Sequence, residues 1–148
     1  MMVLNFFTVF FVSLLGFTPK IETSPIALCD GKPLIDKCIQ TLPAGYIFSK
    51  SYTVDGQGGA KKVLEYVQVL NANTTYLISI AKGQTSVDKL VIRLKDATGK
   101  EVANNYNQGK YYAAIAFACK QTNKYTITYT FETGTNDFCA GSVLAFKR

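Results

Sequence analysis

The chain has 148 residues with a formal net charge of +6, and it contains four cysteines, no tryptophan and no histidine. Without histidine, Ser-His-Asp and Cys-His mechanisms within one chain are excluded, and the commonest general base and metal ligand is missing. Its lysines and arginines are scattered along the chain, the pattern of solvated faces, and this argues against nucleic acid as a partner.

Residues 1–17 carry no charged side chain, and the apolar run over 3–16 is broken only by Asn5, Thr8 and Ser13. This reads as the hydrophobic core of a signal peptide, because a membrane span needs about 20 apolar residues. No Lys or Arg precedes the run and no clean small-x-small site follows it, so the cut falls between Gly16 and Ser24. The chain is therefore expected to divide into a leader, residues 1–23, and one domain, residues 24–148. Contact with a membrane is expected only through the leader, and the mature domain is expected in a secreted, periplasmic or cell-surface location.

All four cysteines (Cys29, Cys38, Cys119 and Cys139) follow the leader. An even count in an exported chain predicts two disulfides, with three possible pairings. The spacing favours Cys29 with Cys38, closing a loop around Pro33, and Cys119 with Cys139, bracketing a segment between late strands. With no C-x-x-C pair and no histidine, no metal site is expected.

Period-two alternation then dominates. Tyr125, Ile127, Tyr129 and Phe131 alternate with Lys124, Thr126, Thr128 and Thr130; Leu90, Ile92 and Leu94 alternate with Val91, Arg93 and Lys95; Tyr76, Ile78 and Ile80 alternate with Thr75, Leu77 and Ser79. Further strands are expected over 46–54, 63–70, 101–106, 111–119 and 142–146, about eight in all by this pattern. Turn clusters separate them, among them Asp55-Gly56-Gln57-Gly58-Gly59, Lys82-Gly83-Gln84 and Asp96-Ala97-Thr98-Gly99. Short strands at such spacing predict an all-β fold, a jelly-roll-like β-sandwich of antiparallel strands, and no stretch of the mature chain shows a sustained helical period.

Most carboxylates fall in turns, where Asp serves its own backbone. Glu65 lies inside a strand and is expected outward or paired with a lysine. The glycine cluster at 56–59 matches neither a P-loop nor a dinucleotide fingerprint. Asp88 and Asp96 are too isolated for calcium, which wants several clustered oxygens. The Thr126, Thr128, Thr130 ladder is expected as an ordinary exposed strand face. The remaining candidate is aromatic: Tyr106, Tyr111 and Tyr112 beside Asn104, Asn105 and Gln108 combine stacking faces with hydrogen-bonding amides, a combination suited to sugars.

Three segments bear a resemblance: 67–76 (Val67-Gln68-Val69-Leu70-Asn71-Ala72-Asn73-Thr74-Thr75-Tyr76), 88–100 from Asp88 to Lys100, and Thr122-Asn123-Lys124-Tyr125-Thr126-Ile127. Together they resemble the strand, turn and tyrosine-strand motifs of the bacterial pre-peptidase C-terminal domain, over roughly half of the chain. The resemblance implies a jelly-roll-like sandwich of the kind appended to secreted enzymes. Lys89 and Leu90 follow Asp88 where the family often has a second aspartate, and Asn123 stands where glycine is usual, so no calcium ligands are carried over. The whole chain, with its end at 139–148, also resembles small exported bacterial proteins, in which the Asn73-Thr74-Thr75 sequon would go unused. The expectation is an exported module without catalytic residues or cofactor, whose partner is a glycan, a peptide or an envelope protein. The alternatives are a structural or polyanion-associating surface protein, or a hydrolase with an unrecognised site.

Overall fold

The computed structural model describes residues 29–83 and 86–148; the expected leader, residues 1–23, lies outside the described residues, as does Gln84 of one expected turn. A helix, α1 (Lys32–Gln40), precedes ten strands: β1 (Ile47–Asp55), β2 (Val63–Leu70), β3 (Thr74–Lys82), β4 (Leu90–Lys95), β5 (Glu101–Asn104), β6 (Tyr106–Asn107), β7 (Lys110–Tyr111), β8 (Ala114–Cys119), β9 (Asn123–Phe131) and β10 (Cys139–Lys147). They form two four-stranded sheets, ordered β1-β10-β3-β8 and β2-β9-β4-β5, with β6 and β7 as a separate hairpin. Every pairing is antiparallel.

Alternation in the sequence becomes two-sidedness in the sheet. On β9 the inward Tyr125, Ile127, Tyr129 and Phe131 are buried, and they join Leu64 and Leu70 of β2, Leu90, Ile92 and Leu94 of β4, and Tyr76, Ile78 and Ile80 of β3 in one core fed by both sheets. Each such side chain contributes about 1.5–3 kcal/mol by leaving water. Tyr129 reaches across that core so that its hydroxyl meets the Ser142 hydroxyl of β10 at 2.7 Å, and Ser142 donates to the Ser79 carbonyl at 2.9 Å. A buried phenol thus keeps its hydrogen bonding while its ring fills the centre.

The helix departs from the sequence expectation. At nine residues α1 is too short for its period to repeat visibly, yet Pro33 starts it and Leu34, Ile35 and Cys38 form its apolar side. That side seals the outer face of the first sheet over Ala81, Val143 and Ala145. Small residues make the close approach possible: a Cβ on Gly141 of β10 would lie 2.5 Å from the Ile35 nitrogen, and one on Gly31 would lie 2.5 Å from Thr53 Oγ1.

The disulfides differ as well. One bridge joins Cys29 to Cys139, and Cys38 and Cys119 are free and buried. The register explains this: Asp55 at the end of β1 pairs with Cys139 at the start of β10, and Gly31 packs on Thr53, so the chain entering α1 passes the end of both strands. Cys38 lies on the sheet-facing side of α1, its thiol 3.7 Å from the Gly141 carbonyl, while Cys119 ends β8 in the main core. The expected Cys29–Cys38 and Cys119–Cys139 pairs are therefore replaced, and the two leftover thiols belong to different clusters.

Candidate functional site

The expected strands over 101–106 and 111–119 are each interrupted, and the interruption builds the site. Gln108 and Gly109 both have positive φ, at 49° and 81°, the geometry of a tight two-residue hairpin turn between β6 and β7. Asn105 fixes this hairpin to the second sheet. It is 1% exposed, its side-chain oxygen accepts from the Ile92 N–H at 2.7 Å, and its amide donates to the Leu90 and Tyr112 carbonyls at 3.1 and 2.9 Å. Of the five residues expected to bind, Asn105 is thus spent on positioning the others.

The hairpin presents the tyrosines. Tyr106 and Tyr111 stand opposite each other across its two strands, ring centroids 4.8 Å apart, and Tyr106 is 41% exposed. Tyr112 is 45% exposed, with Lys110 over its ring at 5.5 Å. The Tyr111 hydroxyl donates to Glu132, and that carboxylate pushes the phenol up to about 12, so Tyr111 stays neutral as a donor at any physiological pH. Asn104 is held by its own neighbours: its amide donates to Glu101 at 2.5 Å and its oxygen accepts from the Tyr106 N–H at 2.9 Å.

Beside the hairpin opens a cleft of about 430 Å³, bounded by Lys37 and Cys38 of α1 and Thr41 just after it, by the end of β3 through Lys82, by Ser86 and Asp88 in the following loop, and by Tyr111. Its volume lies in the range of small-ligand sites, roughly 300–1,000 Å³. Lys82 is 8% exposed, and its ammonium donates to the Asp88 carbonyl at 2.8 Å and to the Thr135 hydroxyl at 2.7 Å. Burial lowers its pKa, against the opposing pull of Asp137 and Asp88. Burial also pushes the Cys38 thiol up, so it is no ready nucleophile. Sequence reasoning missed Lys82, whose only signal is a charged residue closing a strand buried on both faces.

Carboxylates elsewhere are engaged locally. Asp55 accepts from the Gln57 N–H, and Asp137 from the Cys139 N–H. Asp96 accepts from Thr98 and Lys100, and the Thr98 hydroxyl first of all holds its carboxyl below the usual value. Glu65 accepts from Thr128 and lies 3.9 Å from Lys95, as expected of a lysine-paired strand residue. Thr128 is buried under that pair, so the threonine ladder is not the uniform exposed face expected. In the glycine cluster, Gly59, at φ +100°, lies against the Phe138 ring. Among the described residues no group of three or more Cys, Asp or Glu is placed to hold a metal ion.

Fold and site together define an antiparallel all-β domain of two sheets and one helix, tied by a single disulfide and carrying a tyrosine-flanked cleft. No family model matches the chain, nor does any curated protein. Among solved structures it is similar to the crystal structure of Aeromonas hydrophila PliG, a periplasmic lysozyme inhibitor of g-type lysozyme, at 14% identity and a TM-score of 0.42 over 70% of this chain and 86% of that one. A likeness so distant carries nothing of the inhibitor's target to this chain, and the resemblance to the pre-peptidase C-terminal domain rests on its short motifs alone.

Proposed function

We propose that the chain is an exported, non-catalytic, jelly-roll-like sandwich module that binds a glycan in the cleft beside the β6–β7 hairpin. The observation that carries this reading is the junction of a tyrosine pair, Tyr106 exposed and Tyr111 half-buried, with a cleft of about 430 Å³, since Tyr111 both packs on Tyr106 and lines the cleft. Tyrosine faces stack on sugar rings, and the lining adds the polar side chains of Thr41, Ser86, Asp88 and Lys82. The commitment of most carboxylates to turns and ion pairs supports a binding role over hydrolysis, which needs two free acids facing across a cleft. The disulfide supports an oxidising compartment, hence the envelope or its exterior.

The test is binding of the purified, oxidised protein to an immobilised glycan array at low and at physiological salt. Salt-resistant binding that is lost in Tyr106→Ala, with an unchanged melting temperature, is the expected outcome. An array that stays empty at both salt concentrations refutes a glycan ligand. Binding confined to low salt would assign the interaction to scattered lysines and make the module a polyanion-associating protein.

A further inference from the structure

We infer that the ligand of this cleft carries a carboxylate: an acidic saccharide of the uronate class, whose charge is received by Lys82 and Lys37. This rests on the glycan reading above and narrows it.

Lys82 is nearly buried, and the two groups it donates to, the Asp88 carbonyl and the Thr135 hydroxyl, are both neutral. Among the described residues no carboxylate lies within ion-pair distance of it, whereas Arg93 and Lys95 on the other sheet each have a glutamate. Asp137 and Asp88 act on it only from beyond contact, so a buried ammonium held by neutral donors alone remains a standing cost, offset when an anion arrives already stripped of water by the same cleft. Lys37 on α1 brings a second positive charge to the lining, so the lining itself carries two cations and one carboxylate, Asp88, with Asp137 acting on Lys82 from outside it. Asp88 is consistent with a sugar rather than a simple anion: it would repel a bare dicarboxylate, but it can accept from ring hydroxyls while the lysines hold the acid group. Tyr111 supplies the apolar wall for the ring, with its hydroxyl pinned away by Glu132.

The experiment is calorimetric titration of the oxidised protein at physiological salt with tetragalacturonate and, separately, with the neutral galactose tetramer. Wild type, Lys37→Ala and Lys82→Met are compared after a melting curve for each. The acidic tetramer is expected to bind at least tenfold more tightly than the neutral one. Lys82→Met should erase that preference, and Lys37→Ala, on an exposed helix position, should weaken the acidic tetramer about threefold and leave the neutral one unchanged. If Lys82→Met fails to fold, the Lys37 variant decides by itself. Equal affinity for the two tetramers overturns the inference and leaves the glycan reading standing. A tetra-aspartate peptide binding as tightly as tetragalacturonate overturns the saccharide, and uronate binding insensitive to both lysines overturns the placement. If neither tetramer binds while another array glycan does, the inference alone falls; if the array is empty too, both readings fall.

Discussion

Removing the Cys29–Cys139 bridge by the double substitution Cys29→Ser and Cys139→Ser should cost more stability than any other change confined to the surface of this domain. The bridge closes a loop of 110 residues, for which restriction of the unfolded chain amounts to about 16 cal/mol/K, or about 4.8 kcal/mol at 25 °C. For a domain of this size that corresponds to a fall in melting temperature of roughly 15–20 °C. Denaturant titration of the oxidised wild type and the double variant measures the difference, and the wild type with reductant should converge on the variant. Thiol alkylation adds an independent readout: Cys38 and Cys119 are buried, so the native oxidised protein should label at neither and the unfolded protein at both. A loss below about 1 kcal/mol, or peptide mapping that finds Cys38 or Cys119 in a bridge, would refute the register by which β1 and β10 bring Asp55 opposite Cys139.

Three further outcomes follow from the packing. Gly141→Ala places a Cβ 2.5 Å from the Ile35 backbone nitrogen, so α1 must lift; a loss of about 1–3 kcal/mol and new protease cleavage within residues 32–40 are expected, and wild-type resistance to cleavage would contradict the contact. Asn105→Ala strips partners from the Ile92 N–H and the Leu90 and Tyr112 carbonyls, costing about 3 kcal/mol in denaturant unfolding, whereas Asn104→Ala, on an exposed side chain, should cost under about 0.5 kcal/mol. Burial raises the phenols of Tyr52, to about 12, and of Tyr129, so the folded state keeps protons that the unfolded chain releases near pH 10. Their contribution to stability is complete below about pH 10 and is lost as the pH rises toward 12; ultraviolet titration showing these two ionising with the exposed tyrosines in a still-folded protein would exclude the burial.

Strands were legible where one face meets the core and the other meets water. The alternation on 124–131 marks the strand and its core face, though Thr128 on the other face is buried, and Val63–Leu70 and Leu90–Lys95 begin and end where the pattern does. The pattern fades in β10, where both faces are covered by small and apolar residues. β10 is buried from Ala140 to Ala145, on one side by the core and on the other by α1, so its first residues, Cys139, Ala140 and Gly141, carry no alternation to read. The same cover hid the helix: nine residues beginning at Lys32-Pro33 complete fewer than three turns, and their apolar positions became informative only once the small residues of β10 stood beneath them.

The site was half legible for a related reason. Tyrosine beside asparagine nominates a candidate surface by residue type, but type does not say which polar group stays free and which one holds the frame. Asn105 and Asn104 are neighbours with identical side chains; the first is locked into three backbone bonds because β4 begins beside it, and the second remains at the surface. Lys82 shows the converse. A lysine closing a strand reads as a solvated end, and it becomes a buried cation only because Thr135, 53 residues later, and the Asp88 carbonyl fold over it. Local pattern can nominate the tyrosines, since their contribution is a face; the buried charge of Lys82 arises from contacts between distant segments, and those are set by topology.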